Sequence, residues 1–594
     1  MRFCDAGSYR PERRELGHAL ATHSGSAPRW YEPGMGADDT DYDFVVIGSG
    51  FGGAVSACRL AEKGYRVAVV EMGKRWAAAD FPTTNWSLRR WFWRPGLRLF
   101  GFYNMRPFKH VMVLCGNAVG GGSVTYANTM LVPPASVWGE GSWAGVADWR
   151  AEMPAHYATA KRMLGVTENQ ILGDADHMLK RMAEHQGFGD SFYKTDVAVY
   201  FGDGPGVTKP DPFFGGKGPA RTGCVGCGGC MVGCRFGAKN TLDLNYLHLA
   251  EGDGAEILPE TRVTELRPAA GATDGSAGYV LETECSTTWF AKRRRTITTK
   301  QVVVSASALG SMDLLLRMKQ AGHLPALSPQ LGTGVRTNSE SIVGVRFPAG
   351  TDAAGTPVDM SKGIAIGSGM HVDQFTHIEA TRYSRGSDVL GLMSTLLVAG
   401  GGWRRILAWF GAMLRHPVRF ARASWPFGFA RTTLILLVMQ TLDSSLTFRL
   451  ERRWWWPFTR RLSSHGPRIP TNIPLANQFA TRAAAEFGGI PIVSTTEILF
   501  DLPMTAHCIG GAVMGADAQH GVIDGQHRAY GYTGLYVIDG SSIGANLGVN
   551  PSFTITALAE RAMTFIPRAR SVDATPGVGA LDSDATRRSA SHIP

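Results

Sequence analysis

The segment Asp43-Phe-Val-Val-Ile47 runs straight into Gly48-Ser-Gly50-Phe-Gly-Gly53, and Ala54 to Gly64 follows with the spacing of a helix. A short apolar run bounded by glycine suits a fully buried strand. Strand, G-x-G-x-x-G and helix in that order predict the phosphate-binding turn of a Rossmann-type unit. Gly48 makes the tight turn, Gly50 lets the backbone approach a pyrophosphate, and Gly53 permits close packing of helix on strand. Phosphate charge then meets the helix N-terminus. A second strand, Arg66 to Val70, ends at Glu71. A carboxylate there accepts from both ribose hydroxyls and repels a 2′-phosphate, so FAD or NAD is expected and NADP is not.

The choice between FAD and NAD turns on a second glycine cluster, Gly116-Asn-Ala-Val-Gly120-Gly121-Gly122-Ser123, continuing to Asn128. Backbone so free of side chains can lie flat against an isoalloxazine ring, which favours FAD; a glycine-rich surface loop is the plain alternative.

With 594 residues, the chain has room for about four domains or two large lobes. Its 44% apolar and 19% charged residues exclude global disorder. The surplus of 60 Lys and Arg over 50 Asp and Glu is concentrated in two aromatic-rich segments. From Asn85 to Gly116, Arg89, Arg90, Arg94, Arg98, Arg106 and Lys109 meet no acid and are interleaved with Trp86, Trp91, Phe92 and Trp93. From Trp403 to Arg461, eleven arginines meet only Asp443 and Glu451. Within the second segment, Trp403, Ile406, Leu407, Phe410, Met413 and Leu414 predict an amphipathic helix with Arg404, Arg405 and Arg415 on the opposite arc.

A cationic face beside a Trp/Leu/Phe stripe, followed by Trp454, Trp455 and Trp456, suits peripheral membrane contact; a helix packed on the core is the alternative. No RNP-type or KH-type motif is found, so nucleic acid is not expected as a partner. The sequence shows no transmembrane helix and no apolar signal-peptide core, so a cytoplasmic protein, peripheral on a membrane, is expected. Residues 1–40 read as a flexible leader, with Met35 as an alternative start, and 569–594 as a disordered tail.

Four of the nine cysteines, Cys224, Cys227, Cys230 and Cys234, have the C-x2-C-x2-C-x3-C spacing of a bacterial ferredoxin. They form a candidate iron–sulfur or zinc site. Arg235 stands where ferredoxins carry proline, and no second cysteine set is present, so reduced structural cysteines are the third reading.

The two glycine clusters with Glu71 and Asn128 are joined by His507-Cys-Ile-Gly510-Gly511, Tyr536-Val-Ile-Asp539-Gly540 and Asn550-Pro551 leading to Glu560-Arg561. In that order the blocks resemble the glucose-methanol-choline (GMC) oxidoreductase family over residues 41 to 566. Arg336 to Gly344 (RTNSESIVG) and Gly548 to Arg561 draw the likeness toward its bacterial sterol-oxidising members with non-covalent FAD.

The resemblance implies a two-lobed α/β fold. A discontinuous Rossmann-type FAD lobe would span 41–130, 235–335 and 500–568. A sheet-plus-helix substrate lobe with the cysteine run and a membrane-facing lid would span 131–234 and 336–499. It also implies FAD contacts at Gly48, Gly50, Gly53, Glu71, Gly116, Gly120, Gly121, Gly122, Ser123, Asn128, Val263, Asp539, Gly540, Asn550 and Pro551. His507 would be the base for an alcohol proton, Asn550 its partner at the substrate oxygen, and Glu379 a proton shuttle for double-bond migration. The implied substrate is a sterol or other apolar alcohol, with oxygen or an electron carrier as acceptor. Two rivals remain: a dehydrogenase of the family for another alcohol, relaying electrons through a cluster, and a flavin-binding membrane-surface protein without turnover.

Overall fold

In a computed structural model, residues 40–290, 292–453 and 456–569 are described. The expected leader before residue 40, the tail from 570, and Trp454 and Trp455 lie outside the described residues.

Two seven-stranded sheets organise the chain. The first is built around Tyr42–Ile47, which pairs in parallel with Val67–Val70 on one side and Arg294–Val304 on the other. Glu256–Leu258 extends one edge, Leu535–Val537 pairs with the end of Arg294–Val304, and the antiparallel strands Tyr279–Cys285 and Thr261–Pro268 complete the sheet. Phe44 to Ile47 and Val67 to Val70 are buried on both faces, as covered parallel strands require. The strands Glu256–Leu258 and Thr261–Pro268 are separated at Glu260, whose φ of +54° turns the chain.

The second sheet is antiparallel and runs Ser394–Leu396, Ile490–Ser494, Ser341–Arg346, Thr433–Gln440, Thr376–Thr381, Ile366–His371 and Tyr193–Lys194. A three-stranded sheet of Tyr103–Pro107, Met112–Gly116 and Met504–Thr505 bridges the glycine cluster to the segment that carries His507.

Two features differ from the sequence reading. Residues 137–166, assigned there to the substrate lobe, pack in the core of the FAD lobe. Trp138, Trp143 and Trp149 stack on one another, and the helix Trp149–Met163 lies on Ser552–Thr564, with the Tyr157 hydroxyl meeting Thr554 Oγ1 at 2.8 Å. These aromatic rings carry more apolar surface than the loops between them can shield, which fixes them to the larger core.

The amphipathic helix forms over Gly402–Arg415 with its apolar stripe outward, as membrane contact expects, but one arginine of its cationic arc is buried. Trp403 is 66% and Leu414 77% exposed, while Arg405 is 2% exposed. Arg405 donates from Nε to Val398 O at 2.9 Å and from Nη1 to Thr471 Oγ1 at 3.0 Å, so an arginine pins the helix and its apolar stripe faces outward.

Removing that side chain leaves two buried acceptors short of a donor. Arg405→Ala is expected to lower stability by about 1–3 kcal/mol, read as a fall in Tm.

Candidate active site

The turn after the first strand has the geometry of a phosphate cradle. Gly48 has φ of +101°, and a Cβ on it would lie 2.3 Å from Ser305 O. At Gly53 a Cβ would lie 2.0 Å from Gly48 O, and at Gly121 2.6 Å from Gly50 Cα, so the two glycine clusters touch backbone to backbone. Gly50, at the N-cap of the helix Phe51–Glu62, faces open space. That is where a pyrophosphate would meet the helix N-terminus.

Ser49 ties the cradle together. Its Oγ donates to Glu71 Oε2 at 2.7 Å and accepts from Gly120 N at 3.0 Å, while Gly73 N donates to Glu71 Oε1 at 2.7 Å. Burial pushes Glu71 above the usual carboxylate range despite those donors, and a ribose hydroxyl would add one more.

Of the remaining expected contacts, Gly116, Gly122, Asp539, Gly540, Asn550 and Pro551 line one cleft. Gly116 ends the strand Met112–Gly116, and a Cβ there would lie 2.7 Å from Gly121 O. Ser123 Oγ donates to Gly120 O at 2.6 Å and accepts from Leu242 N at 3.0 Å. Gly122 meets only the Phe51 ring at 3.7 Å, and Asn128 is buried with φ of +76° and an unpartnered amide oxygen. Val263 is on the strand Thr261–Pro268, whose Thr261 N donates to Glu71 O at 2.8 Å. Asp539 accepts from Ser541 N at 2.8 Å and from Ser311 Oγ, capping the turn at Gly540. Pro551 caps the helix Ser552–Thr564, directing its N-terminus toward the cleft. The residues present fit a flavin dinucleotide: glycine where backbone must approach, a helix N-terminus at the phosphates, and a carboxylate at the ribose.

A cavity of about 290 Å³ joins Gly50, Gly116 and Gly122 to His507, Asp539, Gly540 and Asn550. Its far end is apolar, with Met231, Leu390, Met393, Phe429, Ile435 and Ile492 among the lining residues.

His507 Nδ1 is hydrogen-bonded to Glu340 Oε1, and Asn550 Nδ2 lies 3.4 Å from His507 Nε2 and donates to Glu379 Oε2 at 3.2 Å. The three residues that the resemblance marks as catalytic are thus gathered, with Glu379 behind Asn550. A proton on Nδ1, held by Glu340, leaves Nε2 free to accept from a substrate hydroxyl. Burial works against charge on His507, but the Glu340 carboxylate outweighs it and holds the imidazole above its ordinary value. Burial pushes Glu379 up to about 7, against the Asn550 hydrogen bond and the nearby His507.

Glu340 escapes sequence reasoning, which quoted its segment without assigning the residue a part. That segment organises the site. Arg336 and Ile509 exchange backbone hydrogen bonds at 2.8 and 3.0 Å, which sets His507 beside Glu340. Asn338 accepts from Gly548 N at 3.0 Å and donates to Val549 O at 2.7 Å, which sets Asn550. Asn338 and Ser339 hold φ of +58° and +46° to turn Glu340 inward. The available signal was a lone acid at the head of the apolar strand Ser341–Arg346, preceded by an Asn-Ser pair suited to left-handed backbone.

The cysteine run requires a correction. Among the described residues no group of three or more His, Cys, Asp or Glu is gathered to hold a metal ion. Gly228 N donates to Gly363 O and Gly363 N to Gly226 O, each at 2.8 Å, pinning Cys227 in an extended bridge at the surface. Cys224, Cys230 and Cys234 pack instead on Val197, Val199, Phe201, Ala238 and Ile364. Lys239, buried, donates to Cys230 O, Val124 O and Tyr126 O at 2.8–2.9 Å. An ammonium and an apolar cluster fill the loop that the spacing alone suggested for iron or zinc.

Comparison with known proteins agrees with the geometry. Models described as GMC oxidoreductase match residues 220–323 and 480–559, and a NAD(P)-binding Rossmann-like model matches 46–83. A cholesterol oxidase of Acinetobacter baumannii is 57% identical over 537 residues, covering 90% of this chain and 96% of that protein. The chain belongs to the GMC oxidoreductase family. As a member, it is an FAD-dependent alcohol oxidoreductase. A second member, a cholesterol oxidase of Mycobacterium tuberculosis, is 45% identical over 91% of this chain and 93% of its own. Pyridoxine 4-oxidase from Mesorbium loti shares the GMC fold with a TM-score of 0.55 at 14% identity, over 88% of this chain and 98% of its own.

The Glu340 contact fixes a sign for pH dependence. If His507 must be neutral to accept a proton, oxidation falls as pH drops through a value above the ordinary histidine range. Glu340→Gln removes the group that raises the imidazole and leaves burial in place. The acid limb of the flavin-reduction rate is expected to move to lower pH, with a lower plateau rate.

Proposed function

We propose that this chain oxidises the 3β-hydroxyl of a sterol to the ketone, with oxygen as electron acceptor. The observation that carries the reading is a largely apolar cavity lined by His507 and Asn550, in a chain 57% identical to a protein named cholesterol oxidase. FAD, when bound, supplies the hydride acceptor. His507 Nε2 takes the hydroxyl proton while Glu340 holds Nδ1, and Asn550 Nδ2 donates to the substrate oxygen and so fixes the carbinol between the two. Apolar walls exclude water and select a substrate with one polar group at its end. The packing of Cys224, Cys230 and Cys234 on an apolar cluster favours structural cysteines over the rival in which electrons leave through a cluster.

Glu379 then moves the double bond. Its carboxyl, raised to about 7, exchanges a proton readily near neutrality, as transfer from C4 of one ring to C6 of the fused neighbouring ring demands.

Substrate delivery is proposed to occur at a membrane surface. Trp86 from the first basic segment stacks on Phe427 from the second at 6.0 Å, joining the two into one surface. Trp403, Leu407, Phe410, Leu414, Val418 and Trp425 stand exposed there beside the exposed Arg404, Arg415, Arg419 and Arg422. Phe429, two residues past Phe427, lines the cavity. Among the described residues no helix is long and apolar enough to cross a membrane, and the patch suits interfacial contact.

Anaerobic mixing of flavin-loaded protein with alcohols tests the chemistry. Sterols are expected to bleach the flavin and polar alcohols to leave it oxidised, and His507→Ala is expected to slow bleaching by about 10² or more. Bleaching by polar alcohols alone would overturn the reading. Glu379→Gln is expected to keep oxidation and accumulate the unconjugated ketone, seen by product chromatography. Leu407→Glu with Leu414→Glu is expected to reduce co-sedimentation with anionic vesicles while leaving turnover of detergent-dispersed sterol unchanged.

A further inference from the structure

Behind Glu379, away from the cavity, lies a row of titratable rings with no part in the chemistry above. Gly369 pairs with Glu379 on one neighbouring strand and with Tyr193 on the other, so the three positions lie abreast across the second sheet. Cross-strand partners project to the same face, and His377, two residues before Glu379, shares that face. A Cβ on Gly369 would lie 2.8 Å from both His377 Nε2 and Tyr193 Oη, so the glycine leaves the space in which the two polar groups meet. There Tyr193 Oη is hydrogen-bonded to His377 Nε2.

The row continues outward. His377 pairs with His371, and their rings stack at 5.0 Å and 24°, with the Tyr193 ring 5.8 Å from each. His377 is 2% exposed, whereas His371 is exposed beside Asp373. Two buried polar atoms in this region have no partner: Glu379 Oε1 and His377 Nδ1. An imidazole and a carboxylate so deep are costly to leave unsatisfied unless a mobile proton or water serves them. The charge of Glu379 is felt at Tyr193, whose hydroxyl is pushed far up, first by burial and then by that carboxylate.

We propose that Tyr193, His377 and His371 form a relay that exchanges the proton of Glu379 with solvent. The carboxyl gives its proton to Tyr193 Oη through one water, as the tyrosine passes its own to His377 Nε2. His377 releases a proton from Nδ1 on the side of His371 and the surface. One proton moves outward and none is created, no electrons are transferred, and the reverse sequence recharges the carboxyl. The buried acid therefore exchanges its proton with bulk water on the side away from the apolar cavity. Tyr193, His377 and His371 are positioning residues that act through Glu379.

The relay rests on the proposed isomerisation, and one experiment reads both. A 5-ene-3β-hydroxysterol is turned over in D2O, and the deuterium at C6 is measured per molecule of conjugated ketone by mass spectrometry. Authentic conjugated ketone incubated in parallel gives the background. Wild-type product is expected to carry solvent deuterium, and Tyr193→Phe, which keeps the ring stack, is expected to carry several-fold less per molecule formed. His377→Gln is expected to behave alike. Equal label in wild type and both variants, or none in the wild type, would overturn the relay while conjugation itself still stands. An unconjugated wild-type product would overturn the isomerisation and the relay together.

Discussion

An imidazole and a carboxylate held together out of water set the terms for the rest of the molecule. Glu340, 1% exposed, is a buried carboxylate that needs hydrogen-bond partners, and His507 Nδ1 and Ala506 N supply them. Because Glu340 holds Nδ1, only Nε2 is left to face Asn550 and the cavity. Fixing that tautomer needs rigid backbone on both sides. The segment Arg336 to Glu340 provides it by bonding to the chain after His507 and to the chain before Asn550. Two residues in left-handed conformation there are strained backbone placed at the point of function.

The opposite wall follows from a different constraint, the closeness of backbone to backbone. Gly121 against Gly50 and Gly53 against Gly48 leave no room for a Cβ, yet Gly50 itself faces open space. The glycines therefore serve two purposes, some closing the scaffold and one opening the cradle. Ser49, bonded to both Glu71 and Gly120, makes the ribose end and the ring end of the cleft one rigid unit. A preorganised cleft of this kind orients a bound ring before any substrate arrives.

What was legible in the sequence shares one property: it is encoded within a few consecutive residues. The strand, turn, helix and acid from Asp43 to Glu71 needed no distant partner to be read, and the blocks at His507, Asp539 and Asn550 were carried by motif. Glu340 was illegible because its function depends on a neighbour 167 positions away along the chain. Arg405 was misread as part of an exposed cationic face because periodicity places it on the polar arc without showing its distant acceptors, Val398 O and Thr471 Oγ1. The cysteine run misled because spacing carries no information about the Lys239 ammonium or the Gly226–Gly363 pairing that fix the loop. Trp138, Trp143 and Trp149 were placed in the wrong lobe because their stack joins the long-range contact between Trp149–Met163 and Ser552–Thr564.

The most direct measurement is a crystal structure of the flavin-loaded protein with a sterol or unreactive sterol analogue bound. The account requires the ligand's hydroxyl to lie within about 2.6–3.2 Å of both His507 Nε2 and Asn550 Nδ2, with Glu340 still on Nδ1 and the ring system along the apolar wall. A ligand hydroxyl bound elsewhere, or a His507 ring turned so that Nε2 faces Glu340, would contradict it.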